Sequence, residues 1–570
     1  TRCGRDWSSD VCSSDLLAGD GATTTDDSTL IGYGAGGAAM TGHDNTAVGM
    51  DSLAATTSGA SNTAVGKAAL ASNTTASNNT AVGSSAGASI TTGDSNTFFG
   101  EAAGDAFTVG ADNTALGRDA LGSDTQGSSS IAIGRRALAN QNFTSPTAAY
   151  NVAIGRSAGV SVTTGVNNTL IGGLAGDAMT TALRNTSVGY SSLGGLTTGN
   201  DNLALGYNAL LSATTSAYNT AVGSGSLQVT TTGGYNVGVG FRTLWTNITG
   251  ASNTALGYSA LRHSTASNNT AVGYDALSAN TTGTGNVAVG SNAGDALTTG
   301  SYNTAIGKNA LTTAQTSSGN TAVGEGALFA VTTGQSNVAV GGYDGLSNGA
   351  GRLLTTGQKN TLIGQSAGNT ITTGSKNTVI GRYSGNESGL DIRTSSSNIV
   401  LSDGDGRPFY YGRGSGTHVY SYETGAATAF VSAINSTNTS SQIFRGANSA
   451  SNITDVSATQ FVVFGTGNVQ NTNNSYGAIS DQKLKENIID AGSQWDDIKA
   501  IRVRKYSLIA DAETTANRLG VVAQELEASG MSGLVEEHLD LGPNDEDLGT
   551  TTKGVKYSVL YMKAIKALQE

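Results

Sequence analysis

A serine and a lysine five residues apart are the candidate catalytic pair of this chain. They are Ser480 and Lys485, within Ser480-Asp481-Gln482-Lys483-Leu484-Lys485-Glu486-Asn487-Ile488. A serine hydroxyl becomes a nucleophile when a nearby base takes its proton, and a lysine can be that base when burial or a neighbouring cation lowers its pKa. Attack of Ser480 on the carbonyl carbon of Ile479 would give an ester that water then resolves, with Asp481 and Asn487 as candidate supporting residues. Spacing alone favours the alternative, in which Ser480 caps a turn and Lys485 is a solvated charge.

The composition upstream of this pair indicates a repeat architecture. Charged residues make up 13% of the chain, with 80 Gly and only 3 Pro in 570 residues, whereas typical soluble domains are about 25% charged. Disorder would require low hydrophobicity and high net charge, but 37% of the residues are apolar and they recur at fixed spacing. The net charge of −12 argues against nucleic-acid and anionic-membrane partners, because phosphate binding needs clustered Lys and Arg. The chain has no run of about 18 apolar residues, so no membrane insertion is expected, and we predict no cofactor and no metal.

The first 16 residues are expected to be non-native. The stretch from Asp6 to Asp15 resembles the translation of a sequencing-library adapter, and such a segment is excluded from fold reasoning. Cys3 and Cys12 lie in or beside it, so neither predicts a disulfide or a redox compartment. We therefore expect the native N-terminus, with any export signal or anchor, to be missing.

A unit of the type Asn-Thr-Ala-Val-Gly recurs about every seventeen residues within a predicted shaft of residues 17–401. About 22 copies run from Ser28-Thr29-Leu30-Ile31-Gly32 to a degenerate copy at Asn398, and longer steps before Asn151, Asn360 and Asn398 indicate loop insertions. Each copy predicts a short strand, a Gly corner, a small-residue segment and a polar turn. One such coil cannot bury its apolar face, but stacked coils can, with the Asn side chains forming a hydrogen-bonded ladder. At a strand spacing of about 4.8 Å, the rod would be on the order of 100 Å long.

This repeat resembles the head repeats of trimeric autotransporter adhesins and the shaft repeats of phage tail fibres. The resemblance implies a parallel β-roll that assembles as a homotrimer.

Residues 402–479 are predicted to form a β-rich neck. Short alternating runs at 417–422 and 460–464 indicate strands, and larger side chains replace the small ones of the repeat. The aromatic residues are interpreted as the core of an intertwined trimeric neck, with an exposed glycan-binding patch as the alternative. Asp403-Gly404-Asp405-Gly406 is interpreted as a turn that ends the solenoid, in preference to a calcium loop.

Residues 480–570 are predicted to form a small α+β domain. Ser493 to Ile501 indicates a short helix, and Arg502 to Ile509 and Leu519 to Ala523 indicate strands. The last stretch is predicted to be an amphipathic helix with Tyr561, Ile565 and Leu568 on one face.

The same 480–570 segment resembles the intramolecular chaperone domain of phage endosialidases and tail spikes. The resemblance rests on four sequence stretches: Ser480-Asp481-x-x-Leu484-Lys485-x-Asn487-Ile488, Tyr506, Leu519-Gly520-Val521-Val522-Ala523-Gln524-Glu525 and Val555-Lys556-Tyr557. It implies a domain that folds as a trimer, templates the β-fibre upstream and releases itself by autoproteolysis. The family's nucleophile carries over to Ser480 and its lysine to Lys485, with the scissile bond between Ile479 and Ser480. The family continues into a longer terminal helix, so we expect the domain to be truncated at Glu570.

The sequence as a whole predicts a mainly β, host-surface-binding tail fibre or tail spike with a single-turnover, self-cleaving serine endopeptidase. We expect a homotrimer in the extracellular virion tail, made in the host cytoplasm, with other tail proteins and a host-surface glycan or protein receptor as partners. One alternative is a trimeric adhesin on the bacterial cell surface without proteolysis. Another is a polysaccharide-degrading tail spike, which would need an acidic pair in a cleft.

Overall fold

A computed structural model describes residues 18–19, 27–37, 39–343, 345, 348–413, 416–419, 442–447, 459–464, 469–471, 488–506, 518–541 and 547–570. The predicted non-native segment, residues 1–16, lies outside this description. The chain divides into two compact units, residues 1–474 and residues 475–570.

The first unit is dominated by a parallel β-solenoid of about 22 turns, as predicted. Each turn contributes one strand to a single sheet, and each strand pairs in parallel with the strand of the next turn. The ladder strands are β1 (Thr29–Ile31), β2 (Thr46–Val48), β3 (Thr63–Val65), β4 (Thr80–Val82), β5 (Thr97–Phe99), β6 (Thr114–Leu116), β8 (Ile131–Ile133), β10 (Val152–Ile154), β11 (Thr169–Ile171), β12 (Thr186–Val188), β13 (Leu203–Leu205), β14 (Thr220–Val222), β15 (Val237–Val239), β16 (Thr254–Leu256), β17 (Thr270–Val272), β18 (Val287–Val289), β19 (Thr304–Ile306), β20 (Thr321–Val323), β21 (Val338–Val340), β22 (Thr361–Ile363), β23 (Thr378–Ile380) and β26 (Asn398–Ser402). Two insertions add the short strand pairs β7 (Gly127–Ser128) with β9 (Thr147–Ala148), and β24 (Asn386–Glu387) with β25 (Leu390–Asp391).

The three-residue strands keep strict register because identical residue types stack on each other. In a typical pair Thr46 aligns with Thr63, Ala47 with Ala64 and Val48 with Val65. Successive side chains of a strand point to opposite faces, so the middle residue turns inward and the outer two turn outward. The middle residue is small in most turns and fully buried, as at Ala64, and this lets the opposite wall of the coil approach closely.

A ladder of buried asparagines precedes the strands, as the repeat predicted. Each Asn Oδ1 accepts the backbone N–H of the Asn one turn later, at 3.0 Å from Asn62 Oδ1 to Asn79 N. The Asn62 Nδ2 in turn donates to Asn45 Oδ1 at 3.1 Å and to the Ala76 carbonyl oxygen at 2.9 Å. The side chain thus ties the strand to the preceding coil and also to the closing turn of its own coil.

At both ends of the ladder and at its one interruption, other residues supply the missing hydrogen-bond partners. The Ser28 Oγ accepts the Asn45 N–H at the first turn, and the Tyr411 hydroxyl donates to Asn398 Oδ1 at the last. Where Ser130 stands in place of Asn, Gln141 bridges the gap by donating to Ser130 Oγ and accepting from the following Asn at 2.8 Å. Buried polar groups without partners are costly, which explains these substitutes.

The predicted Gly corner follows each strand. Gly66 has φ +134°, and a Cβ there would lie 2.4 Å from the carbonyl oxygen of Gly83 in the next turn. Only glycine tolerates both this conformation and this approach.

A second buried position, four residues after the Gly corner, is either Leu or Gly. The leucines hold left-handed backbone, with φ 51° at Leu277 and 55° at Leu311. Where this position is Gly, as at Gly294, a large apolar residue follows, here Leu297 three residues later. In the turn where this position is Leu311, the residue three positions later is the small Ala314. In most coils one bulky side chain therefore fills this space, from one of two backbone positions; the coil of Leu193 and Leu196 and the coil of Leu328 and Val331 are exceptions, with both positions filled.

Beyond the solenoid the predicted β-rich neck contains described strands at several places. The strands are β27 (Pro408–Arg413), β28 (Gly416–Val419), β29 (Gln442–Ala447), β30 (Thr459–Phe464) and β31 (Val469–Asn471). β27 pairs antiparallel with β26, and β29 to β31 form a separate antiparallel sheet. The Asp403 Oδ1 accepts the N–H groups of Asp405 and Arg407 at 3.0 and 2.8 Å, which confirms the interpretation of this stretch as a turn. The remaining neck residues named above lie outside the described ranges.

The second unit is the small α+β region that the sequence predicted. It contains α1 (Trp495–Ala500), β32 (Arg504–Tyr506), β33 (Arg518–Gly520), α2 (Ala523–Ala528), a 3-10 turn at Ser532–Leu534, β34 (Val535–Leu541), β35 (Asp547–Val555) and α3 (Tyr557–Gln569). The antiparallel pairs are β32 with β33 and β34 with β35. The second predicted strand is shorter than expected, because α2 already begins at Ala523.

Candidate functional site

The predicted catalytic residues lie outside the described part of the chain. This applies to Ser480, Lys485, the scissile Ile479–Ser480 bond and the candidate supporting residues Asp481 and Asn487. Their roles therefore stay predictions. The described part of the second unit begins at Ile488, immediately after the predicted site.

A small apolar core joins the helices of this unit. Leu526 of α2, Met531, Leu534 and Leu560 of α3 are buried together. Ile498 of α1, Val535 and Val555 pack against them. This core connects helices and strands that are far apart in sequence, so the segment behind the predicted site is a folded scaffold.

Ion pairs fix the same elements at their surface. The Arg504 guanidinium of β32 binds the Glu525 carboxylate of α2 at 2.6 Å, and this hydrogen bond lowers the pKa of Glu525 and raises that of Arg504. The Lys563 Nζ of α3 binds the Asp497 carboxylate of α1 at 2.7 Å. Exposed pairs of this kind contribute little to stability, so they specify geometry more than they stabilise it.

The predicted apolar face of the last helix is exposed in the single chain. Tyr561, Ile565 and Leu568 are 61%, 47% and 83% exposed, while Leu560 carries the contact with the core. Met562 on the same helix and Ile489 near the start of the described segment are also exposed, at 62% and 87%. In other proteins, exposed apolar patches of this kind mark sites of protein–protein interaction.

The solenoid has an exposed apolar feature that was not predicted from the sequence. The third residue of every ladder strand faces outward and is apolar, and together these residues form what we call the outer stripe. Its members are Ile31, Val48, Val65, Val82, Phe99, Leu116, Ile133, Ile154, Ile171, Val188, Leu205, Val222, Val239, Leu256, Val272, Val289, Ile306, Val323, Val340, Ile363, Ile380 and Leu401. Leu205 and Leu256 are 42% and 46% exposed. The sequence carried a signal for this stripe, because a sheet face in contact with water would have polar residues at these outward positions.

The described residues contain no helix with the length and apolarity needed to cross a membrane. They also contain no group of three or more His, Cys, Asp or Glu side chains arranged to hold a metal ion.

One comparison with known proteins gives a match. The family model described as chaperone of endosialidase matches residues 480–536, the segment that carries the resemblance described above. No curated protein and no solved structure matches the chain. The C-terminal region is therefore similar to the endosialidase chaperone, and it follows a β-solenoid of about 22 turns.

Proposed function

We propose that this chain is a phage tail fibre or tail spike whose C-terminal domain directs folding of the fibre and then cuts itself away. The observation that carries the proposal is the family match over residues 480–536, which begins at the predicted nucleophile Ser480. A template would assist folding of the parallel solenoid upstream, because parallel pairing forms slowly and apolar surface is exposed while it forms.

The proposed cleavage needs only two side chains and one water. Lys485 Nζ takes the proton of the Ser480 hydroxyl, and the Oγ bonds to the carbonyl carbon of Ile479. The peptide C–N bond breaks, and the departing amine of Ser480 receives the proton from Lys485. Water then hydrolyses the ester, which leaves a carboxylate on Ile479 and restores the serine hydroxyl. A single turnover completes the reaction, so no pocket for an external substrate is required.

Association into a homotrimer is the second part of the proposal. The outer stripe of the solenoid and the exposed face of α3 support it, because both would lie in water in an isolated chain. A monomer rarely exposes apolar patches larger than a few hundred Å². We place the assembled fibre in the extracellular virion tail, bound to other tail proteins and to a receptor on the host surface.

The test is intact-mass analysis of the expressed chain beside three variants. We expect the parent to yield a fragment beginning at Ser480, and Ser480→Ala and Lys485→Ala to remain whole. Lys483→Ala is the matched control, since it removes a neighbouring lysine and should leave cleavage unchanged. Cleavage that persists in Ser480→Ala would exclude the proposed nucleophile. A parent that forms a trimer but stays whole would restrict the domain to a folding role.

A further inference from the structure

Two adjacent cavities lie where the solenoid turns become longer than seventeen residues. The step from Asn337 to Asn360 spans 23 residues and the step from Asn377 to Asn398 spans 21. One cavity has a volume of about 210 Å³ and the other about 280 Å³, and Asn348 lines both. We call them the polar cavity and the aromatic cavity.

Two side chains at the polar cavity carry a buried acceptor without a donor. Asn369 and Glu387 line the cavity, and neither Asn369 Oδ1 nor Glu387 Oε2 has a hydrogen-bond partner among the described residues. A buried acceptor left without a partner costs about 1–3 kcal/mol, and natural structures keep few of them. Glu387 is held in place by the β24–β25 hairpin, which the buried Tyr383 hydroxyl anchors through the Leu390 carbonyl oxygen at 2.6 Å. The fold thus keeps an amide and a carboxylate side chain at the cavity wall, and a ligand with hydroxyl or amide donors can bind there.

The charges around both cavities are mixed. Arg382 lines the polar cavity together with Glu387 and Asp405. Arg352 lines the aromatic cavity together with Glu325. Because cationic and anionic side chains occur side by side, neither a metal cation nor a strongly anionic ligand is favoured. A neutral ligand with many hydroxyl groups can donate to the carboxylates and accept from the guanidinium groups.

The aromatic cavity supplies the apolar contact that such a ligand would also need. Phe329 and Tyr343 line it, and Tyr343 is 46% exposed. The Arg352 guanidinium lies 4.7 Å from the Phe329 ring centroid, and the Tyr343 hydroxyl donates to the Gly345 carbonyl oxygen at 2.9 Å. These contacts hold both rings, and a fixed aromatic ring offers apolar area at low conformational cost.

We infer that the two cavities form a binding site for a neutral oligosaccharide. One sugar unit places its hydroxyl groups against Asn369 and Glu387 in the polar cavity. The next packs its C–H face against Tyr343 and Phe329 in the aromatic cavity. Each cavity is smaller than the roughly 300–1,000 Å³ of a drug-sized ligand pocket, so each takes one sugar ring. The inference rests on the proposed host-surface-binding role and assigns that role to a particular place.

The test uses the full chain and a panel of neutral and acidic oligosaccharides on a glycan array. We expect binding to neutral glycans, weakened at least tenfold by Glu387→Gln and by Tyr343→Ala. Glu387→Gln keeps the shape of the side chain but replaces an acceptor by a donor. Glu101→Gln and Tyr302→Ala are the matched controls, since both residues are exposed on the solenoid away from the cavities, and they should bind as the parent does.

Binding to acidic glycans alone, or to no neutral glycan, would overturn the inference. Equal binding by the parent and both cavity variants would overturn it as well. Adsorption of the same preparations to host cells tests the proposed host-surface binding separately from the cavity site. If the parent and the cavity variants adsorb equally, host-surface binding stands and the cavity site is rejected. Intact mass measured on each preparation reports self-cleavage independently of either readout.

Discussion

At the scale of single residues, the asparagine ladder shows how one side-chain type can hold a whole architecture. The Asn236 Nδ2 donates to Asn219 Oδ1 and to the Gly250 carbonyl oxygen, at 3.2 and 2.9 Å. Its Oδ1 accepts both the backbone N–H and the Nδ2 of Asn253. Each rung is therefore coupled to the rungs on either side, and no rung can be lost without leaving its neighbours unsatisfied.

Replacing one rung should open the solenoid locally. We expect Asn236→Ala to lower the free energy of opening around Asn253 by at least about 2 kcal/mol, because it leaves buried donors and acceptors without partners. Hydrogen exchange at the Asn253 amide and in the adjacent turns measures this directly. Asn140→Ala, at an exposed turn position, is the control and should leave exchange unchanged. Unaltered protection at Asn253 in the Asn236 variant would show that the ladder is not a major source of stability.

At the scale of elements, most coils of the solenoid accept one large side chain at either of two backbone positions. A Cβ at Gly294 would lie 3.0 Å from the Leu297 side chain and 3.1 Å from the Leu277 side chain. The adjacent turn solves the same packing problem with Leu311 and Ala314, both fully buried. In these two turns the arrangements are alternatives, so a large side chain at both positions should overpack the coil and a small residue at both positions should leave a cavity.

A double-mutant cycle tests this exchange. We expect Gly294→Leu alone to destabilise the solenoid by about 1–3 kcal/mol through overpacking, and Leu297→Ala alone by about 2–5 kcal/mol through a cavity. The double variant recreates the arrangement of the neighbouring turn and should be more stable than the sum of the single effects predicts. Denaturant unfolding gives all four free energies. Strict additivity would mean that the two positions do not share one packing space.

Local sequence signals predicted the solenoid better than they predicted the details of its turns. The seventeen-residue period and the inward Ala follow from alternation and stacking, and both were visible in the sequence. The left-handed backbone at Leu277 and its equivalents was not, because this conformation costs about 1–2 kcal/mol for a residue with a side chain. The exposed Tyr302 adopts the same conformation, with φ 60°, and both Leu277 and Tyr302 donate a backbone N–H to a neighbouring turn, so stacking of the coils holds this backbone.

The C-terminal unit shows the same division between local and tertiary signals. The short helix α1 and the terminal helix α3 followed from periodicity. The hairpin of β34 and β35 was not predicted, although Gly542-Pro543-Asn544 between the strands is a recognisable turn signal. Periodicity correctly predicted an apolar face on α3, but the helix contacts the core of the unit through Leu560, which was not among the residues predicted for that face. Periodicity reports that a face is apolar and does not report which partner covers it.

At the scale of the whole molecule, each unit by itself leaves an apolar surface uncovered. In the solenoid this surface is the outer stripe, which continues without a polar residue through every ladder strand. In the C-terminal unit it is the face of α3 that carries Tyr561 and Leu568. Association of copies of this chain would cover both surfaces, and a template that brings the copies together would limit their exposure during folding.

Charges placed on the outer stripe should therefore dissociate the proposed homotrimer while the coil itself stays folded. We expect Leu205, Leu256 and Ile306, all replaced together by Lys, to convert a homotrimer to monomers, because an interface core does not accommodate unpaired charges. These side chains point outward, at 42%, 46% and 39% exposure in the single chain, so the circular dichroism spectrum should stay that of a β-solenoid. Native mass spectrometry and light scattering measure the oligomeric state, and Thr215→Lys, at an exposed turn position, controls for added charge. A triple variant that remains trimeric would show that the copies associate through another surface, and the exposed face of α3 would then be the one to test.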